Sequence, residues 1–101
     1  MEVVNDPRLE FFALKFYVAW SPAEVAAATS AEQNLTVTGV KVGDVIHVNK
    51  PTAQAGLGVV GARVSAADTV SVTFGNFTAA TPITPTAAEV YSFLVVRAKG
   101  D

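Results

Sequence analysis

The chain contains no cysteine and only one histidine, which limits thiol chemistry and metal binding. Without cysteine there is neither a disulfide nor a thiolate nucleophile, and stability has to come from packing. A metal site needs several convergent ligands, and only carboxylates could accompany His47. We therefore expect no catalytic residues, no metal, no cofactor and no small-molecule substrate, and interpret the protein as non-enzymatic.

Charge is also scarce, at 16% of the 101 residues with a net charge of −2. The usual share of charged residues is about a quarter. The seven basic residues are scattered along the chain, so we expect no direct binding to nucleic acid. So little charge on a small domain suggests that other subunits cover part of its surface, although an exterior rich in Thr and Ser would also account for it.

Long apolar runs are missing as well, and none approaches the roughly 20 residues that a membrane span needs. The segment Phe11–Trp20 is apolar enough for the centre of a signal peptide. However, three acidic residues precede it, where a signal peptide carries positive charge. We therefore expect no membrane partner and a protein made in the cytoplasm. The length predicts one β domain over residues 11–101, preceded by an arm over residues 1–10.

What the sequence does contain is a strong bias towards strands, since Val, Ile and Thr supply 29 residues. Ala and Val supply 34 of the apolar residues, so the core should be thin. The clearest strand pattern is a hairpin, with Val59–Ser65 and residues 69–74 joined by a short link that contains Asp68. Six or seven short strands separated by turns predict an all-β protein, an antiparallel β-sandwich or small barrel.

The first and last predicted strands are apolar on both faces. One face of the first strand carries five large apolar side chains, Phe12, Leu14, Phe16, Val18 and Trp20, and the opposite face includes Phe11 and Tyr17. The last strand, Val90–Arg97, interrupts its apolar character only at Ser92. Such a strand lies in the middle of a sandwich, or its outer face meets another subunit.

The middle of the chain is less uniform. Residues 33–38 and Val45–Asn49 have strand character, and residues 76–88 form a long connection with two prolines. Residues 23–30 fit two structures. Ser21-Pro22 at their start is typical of a helix beginning, but alternate residues from Val25 onwards also fit an extended segment.

A glycine motif is the most tempting enzyme signal. Residues 56–61 match the dinucleotide-binding pattern G-x-G-x-x-G. That pattern functions only where a strand ends at the first glycine and a helix follows it. Here a loop precedes the motif and a strand follows it, so we interpret the glycines as allowing a bulge or a close backbone approach.

The remaining polar signals are individually weak. His47 lies between two apolar residues and is best explained as a histidine on a strand surface. Asp44 and Asp68 are expected to close turns. Asn34 and Asn76 begin formal glycosylation sequons, which we attribute to chance in a Thr-rich chain.

Several segments of the chain form one extended pattern. They are Ala-Glu-Gln-Asn-Leu-Thr-Val-Thr-Gly at 31–39, Val-Gly-Asp-Val-Ile-His-Val-Asn-Lys-Pro at 42–51, Gly56-Leu57, Ala-Arg-Val-Ser-Ala-Ala-Asp-Thr-Val-Ser-Val-Thr-Phe at 62–74 with Asn76 and Thr78, and Tyr-Ser-Phe-Leu-Val-Val-Arg at 91–97. Together they resemble the small β proteins encoded near the capsid genes of tailed bacteriophages. The resemblance covers roughly residues 20–97, and the strand Phe11–Trp20 lies largely outside it.

The resemblance implies a virion structural protein, and specifically a capsid decoration (cement) protein. Its expected partners are the major capsid protein and further copies of itself, as a dimer or trimer. The alternatives are a tail, fibre or baseplate component, or a carbohydrate-binding module used for attachment, with Tyr17 and Trp20 as its stacking platform. The expected contact residues are the arm 1–10 and four aromatic residues, Phe11, Tyr17, Trp20 and Phe77.

Overall fold

The computed structural model describes residues 11–98, which form six strands and no helix. The strands are β1 (Phe11–Trp20), β2 (Thr29–Thr36), β3 (Val45–Asn49), β4 (Leu57–Ala66), β5 (Thr69–Asn76) and β6 (Glu89–Ala98). They build two three-stranded antiparallel sheets, β1-β6-β3 and β2-β5-β4, which pack on each other. The predicted antiparallel β-sandwich is confirmed, whereas the expected arm, residues 1–10, lies outside the described part of the chain.

The core lies between the two sheets and is built mostly from valine. Seven of its eleven buried apolar residues are valines, as the composition predicted for a thin core. The large side chains are concentrated at Phe74, Tyr91 and Phe93, all fully buried on the two central strands. Trp20 packs against two of them, with its ring centre 5.6 Å from that of Phe74 and 5.2 Å from that of Tyr91. The face of β1 that carries the five large apolar side chains therefore points towards the core.

The predicted hairpin is formed by β4 and β5. Its tip contains Asp68, whose φ of 59° lies in the left-handed region that Asp tolerates better than most residues. The prediction that the Asp68 carboxylate closes this turn is wrong. The carboxylate instead accepts a hydrogen bond from Gly39 N–H at 2.8 Å. The Asp68 backbone also bonds Val37 and Val40, at 2.9 and 3.0 Å. The hairpin tip is thus fastened to the loop that follows β2.

The ambiguous segment 23–30 contains no helix. Val25 instead pairs with Ile83 through two backbone hydrogen bonds of 2.8 and 3.0 Å, so an extended residue is followed by a turn at Ala28 with φ 55°. The side chain of Gln33 helps to hold this segment, because it bonds both the N–H and the carbonyl of Ala23, at 2.7 and 2.9 Å. Strand β2 begins at Thr29, earlier than the predicted 33–38.

Ion pairs fasten both ends of β6. At one end, Arg97 binds the carboxylate of Asp44 through Nε at 2.9 Å and Nη2 at 2.7 Å, and it also bonds Gly39 O at 2.7 Å. Asp44 accepts a third bond, from Lys41 N–H at 2.9 Å, so its predicted turn-closing role is confirmed. At the other end, Glu89 is buried, lies 3.1 Å from Lys50 Nζ and accepts a hydrogen bond from the Thr52 hydroxyl.

Asn76 organises the long connection between β5 and β6. Its amide nitrogen donates to Val25 O at 3.0 Å and to Thr81 O at 2.9 Å. Its amide oxygen accepts from the backbone N–H of Thr78 at 2.9 Å and from the Thr78 hydroxyl at 2.7 Å. Because Asn76 is only 2% exposed and its amide is fully engaged, its position in a sequon reflects this structural role.

Candidate interaction surface

The sheet β1-β6-β3 exposes an apolar surface on the side away from the core. We call this surface the outer apolar face. Alternate residues of the three strands build it, and the cross-strand register places them side by side. Its apolar members are Phe11, Ala13, Tyr17 and Ala19 from β1, Val90, Leu94 and Val96 from β6, and Val45 from β3. The polar positions are Lys15, His47, Asn49 and Ser92.

Several of these side chains are largely accessible to water. Tyr17 is 66% exposed, Val45 68% and Val90 51%, and Leu94 on the central strand is still 43% exposed. Three strands with up to ten residues each give the face a projected area of roughly 400 Å². A patch of this size is comparable to the largest on a typical monomer, which is often functional.

The opposite outer face, on sheet β2-β5-β4, is polar and internally satisfied around Arg63 and Ser71, and it is apolar only at one end, where Val60 and Phe77 are exposed. Arg63 and Glu32 form a bidentate pair across the sheet, with N–O distances of 2.8 and 3.0 Å. The Arg63 guanidinium hydrogen-bonds the Glu32 carboxylate and so holds its pKa below the usual value. Beside this pair, the Ser71 hydroxyl lies 2.5 Å from Asn34 Oδ1 and 2.7 Å from Ser65 Oγ. The two faces of one small domain therefore have opposite character.

The charged group of the outer apolar face is Lys15, on the edge strand β1. Its ammonium lies 5.4 Å from the ring centre of Tyr17, within range of a cation–π interaction. Lys15, Leu94 and His47 are cross-strand neighbours, so they form one row across the three strands. Lys15 and His47 thus lie at the two edges of this row, and the apolar Leu94 lies at its centre. Protein interfaces have a similar arrangement, with a polar rim around an apolar centre.

The four aromatic residues predicted as contacts are not brought together. Phe11 and Tyr17 lie on the outer apolar face, at 37% and 66% exposure. Trp20 lies on the inner side of β1, packed on Phe74 and Tyr91, and so belongs to the core. Phe77 is 74% exposed but follows β5 in the other sheet.

Phe77 instead borders an open cavity of about 430 Å³ at one end of sheet β2-β5-β4. Its ring lies above two glycines, and a Cβ on Gly75 would come within 2.8 Å of Phe77 Cζ and 2.9 Å of Val60 Cγ2. Only glycine therefore fits at position 75 without movement of these side chains. Residues 28–30 form the remaining wall.

The glycine motif begins at a loop and continues as β4. Gly56 has φ 80°, and a Cβ there would lie 2.5 Å from Thr78 Cγ2. The register between β4 and β5 shifts between Val59 and Gly61. The predicted bulge and close backbone approach are both present, and no helix follows the motif within residues 11–98. His47 lies on the exposed side of β3, as predicted, next to a groove of about 330 Å³ between β3 and β4.

Sequence reasoning did not name the residues from β3 and β6 that complete the outer apolar face, Val45, Val90 and Leu94. A signal for two of them was present, because β6 is apolar on both faces. The pattern could not show which of the two faces is covered, because that depends on how the strands are distributed between the sheets.

Comparison with known proteins adds nothing to these observations: no family model matches the chain, and neither a curated protein nor a solved structure is detectably similar. In the part of the chain that the structure covers, no three His, Cys, Asp or Glu side chains cluster as a metal site requires. No helix long and apolar enough to cross a membrane occurs in that part either.

Proposed function

We propose that this protein acts by binding another protein through the outer apolar face, and that it is a structural component of a bacteriophage virion. The observation that supports the first part is the contrast between the two sheets. Sheet β2-β5-β4 presents Arg63, Glu32 and hydroxyl groups to water, whereas sheet β1-β6-β3 presents Tyr17, Leu94 and their apolar neighbours. Burying such a face against a partner removes apolar area from water at about 25 cal/mol per Å².

The second part rests on the resemblance of residues 20–97 to phage-encoded β proteins. In this proposal the partner is the major capsid protein, and the chain is a decoration or cement protein. Many copies bridge neighbouring capsid subunits, and many modest interfaces together resist internal pressure through multivalency. A small domain without disulfides suits such a role, since the assembled shell supplies additional stabilisation by mass action.

A tail, fibre or baseplate role makes the same use of an apolar sheet face. A carbohydrate-binding module is less well supported. Stacking on a sugar chain requires aromatic rings in a row on one exposed surface, but Tyr17 and Trp20 project from opposite faces of β1.

The copy number of the protein in purified virions tests the location. Particles from the phage or prophage that encodes the gene are purified, and the protein is quantified by mass spectrometry against the major capsid protein. Hundreds of copies per particle support the capsid and a handful support the tail. Absence from the particle overturns the virion role.

A pair of variants tests the docking face. Val90→Glu places a carboxylate on the outer apolar face, and Thr36→Glu places one at an exposed position of the other sheet. Binding to purified shells that lack the protein should weaken at least tenfold for Val90→Glu only, because burying an unpaired charge is costly. Both variants should retain the wild-type melting temperature. Full binding by Val90→Glu, or a loss confined to Thr36→Glu, contradicts the proposed face.

A further inference from the structure

Among residues 11–98, no strand pairs with the outer edge of β1. Strand β1 pairs with β6 along all ten residues, and it lies at the end of its sheet. Within residues 11–98 no backbone group bonds its other edge. The sequence FFALKFYVAW contains no proline or glycine, and the pairing with β6 shows no bulge. A long, regular and unpaired edge of this kind is a template for another strand.

The three other edges of the two described sheets are less suited to a new strand. Strand β4 carries two register shifts, one next to Val59 and one next to Val64, and such bulges twist an edge away from new pairing. Strand β2 has eight residues, and its Gln33 side chain bonds the backbone of Ala23 in the segment after β1. Strand β3 has only five residues and is soon followed by Pro51. Among the described strands, β1 is therefore the longest regular one with an open edge.

The core is also incompletely covered along this edge. The inner residues of β6 that pair with β1, namely Tyr91, Phe93 and Val95, are fully buried. The inner residues of β1 directly opposite them, namely Val18, Phe16 and Leu14, remain partly exposed, and Phe12 is 37% exposed. A further strand beside β1 would cover these side chains.

We propose that a second copy of this chain supplies that strand, with β1 of one copy antiparallel to β1 of the other. The two β1-β6-β3 sheets then form one continuous six-stranded sheet, and their outer apolar faces join into one larger face. The contact is a two-fold interface, in which both copies use the same edge. This inference goes beyond the proposed docking function and does not depend on it.

The charge on β1 selects the register. Residues directly opposite each other in an antiparallel pair point to the same side of the sheet. The two-fold axis therefore has to lie between the two copies of one residue, and we name each register by that residue. An axis at Lys15 places two ammonium groups opposite each other, which is unfavourable. An axis at Tyr17 pairs only residues 14–20 and leaves Phe12 uncovered.

An axis at Phe16 satisfies both conditions. It stacks Phe16 on Phe16 of the second copy, places Leu14 opposite Val18, and brings Phe12 opposite Trp20. On the outer side, Lys15 comes to lie opposite Tyr17 of the second copy, which repeats the cation–π contact within each chain. Residues 12–20 then form roughly nine backbone hydrogen bonds across the interface, near the ten or so of a typical protein interface.

Because the chain has no cysteine, single-cysteine variants of the full-length protein test this register directly. Lys15→Cys and Tyr17→Cys are oxidised separately and as a 1:1 mixture, and disulfide-linked dimers are quantified on non-reducing gels. Directly opposite residues lie within disulfide range, whereas equal-numbered residues lie on a longer diagonal. We expect rapid cross-linking in the mixture and slow cross-linking of either variant alone. The linked fraction in the mixture should reach up to about half of the chains, because random association of two variants makes half of the dimers mixed.

Leu94→Cys is the matched control, since Leu94 lies on the same face, is exposed, and is the cross-strand neighbour of Lys15. Edge pairing keeps the two copies of this position roughly 15 Å apart. Rapid cross-linking of Leu94→Cys indicates stacking of the outer faces and overturns the proposal. Rapid cross-linking of Tyr17→Cys alone, a variant that keeps the Lys15 charge, overturns the register. Light scattering of the wild-type chain should give twice its mass of 10.5 kDa, and a monomer at tens of micromolar overturns the dimer.

Discussion

The amide of Asn76 is a buried side-chain group that makes four hydrogen bonds. Replacing it by Asp keeps the shape and the acceptor oxygen that binds Thr78, but removes both N–H groups. The carbonyl oxygens of Val25 and Thr81, now 3.0 and 2.9 Å from a donor, would face a carboxylate oxygen instead. Each of these oxygens keeps a second donor, the Ile83 N–H for Val25 O and the Thr78 hydroxyl for Thr81 O, so neither is left unpaired. The loss of two hydrogen bonds, at about 1 kcal/mol each, and the burial of a carboxylate against two carbonyl oxygens should together cost about 4 kcal/mol. This is a large part of the roughly 5–15 kcal/mol that stabilises a typical domain.

Asn34→Asp is the matched control for this substitution. Asn34 is exposed, and its oxygen faces the hydroxyl of Ser71, a donor that a carboxylate also accepts. The change should therefore alter stability by less than about 0.5 kcal/mol.

Urea unfolding followed by circular dichroism measures both free energies of unfolding. Hydrogen exchange adds a local test, since the amides of Val25 and Ile83 bond each other's carbonyls beside Asn76 and should exchange faster in Asn76→Asp. Equal losses in the two variants, or a loss below about 1 kcal/mol in Asn76→Asp, would show that the amide does not hold the connection as argued.

Four further substitutions have expected outcomes. Burial raises the pKa of Tyr91 to about 12, and its hydroxyl has no hydrogen-bond partner within residues 11–98, so Tyr91→Phe should leave stability unchanged or raise it by up to about 1 kcal/mol. The melting temperature of the wild type should also fall between pH 10 and pH 12, because Tyr91 ionises at a lower pH in the unfolded chain than in the folded protein. Tyr91→Phe should make this fall smaller. Phe16→Ala should lower the free energy of unfolding in urea by about 2–3 kcal/mol, less than truncation of a fully buried Phe, whereas Tyr17→Ala should lower it by under about 0.5 kcal/mol. Equal losses would contradict the assignment of the two faces of β1. The hydrogen bonds from Arg97 hold the pKa of Asp44 below its usual 3.8, so this ion pair stabilises the fold above that pH, and the stabilisation is lost as the pH falls through the lowered value. Asp44→Asn should therefore reduce the fall of the melting temperature at acidic pH. An unchanged dependence of the melting temperature on pH would contradict this role of the pair.

Local patterns in the sequence predicted the strands well. Period-two alternation predicted β5, and the limits expected for β3, Val45–Asn49, are those observed. The hairpin was predictable because Asp68 and its neighbours offer a turn between two extended runs. These features depend on neighbouring residues in the chain, so one sequence is sufficient to find them.

The distribution of strands between the sheets was not predictable in the same way. Consecutive strands alternate between sheets at several points, and β6 pairs with β1 and β3, which lie far away in the chain. The bridge between Val25 and Ile83 and the amide contacts of Asn76 are equally non-local. The helix considered for residues 23–30 was a reasonable local expectation, but tertiary pairing at Val25 prevailed over it.

The candidate surface was predicted in part, and one physical argument connects it to function. Strand formation alone favours β-branched and aromatic residues, so Val90 or Tyr17 on an exposed strand needs no special explanation by itself. The second sheet, however, meets the same requirement with Thr69 and Thr73, which are β-branched but carry a hydroxyl group and are only partly buried. Because the chain uses a polar solution over most of one face and an apolar one over the other, the requirements of strand formation do not account for the apolar choice. The proposed partner would account for it, and it would also explain why a domain with so little charge leaves Leu94 accessible at the centre of sheet β1-β6-β3.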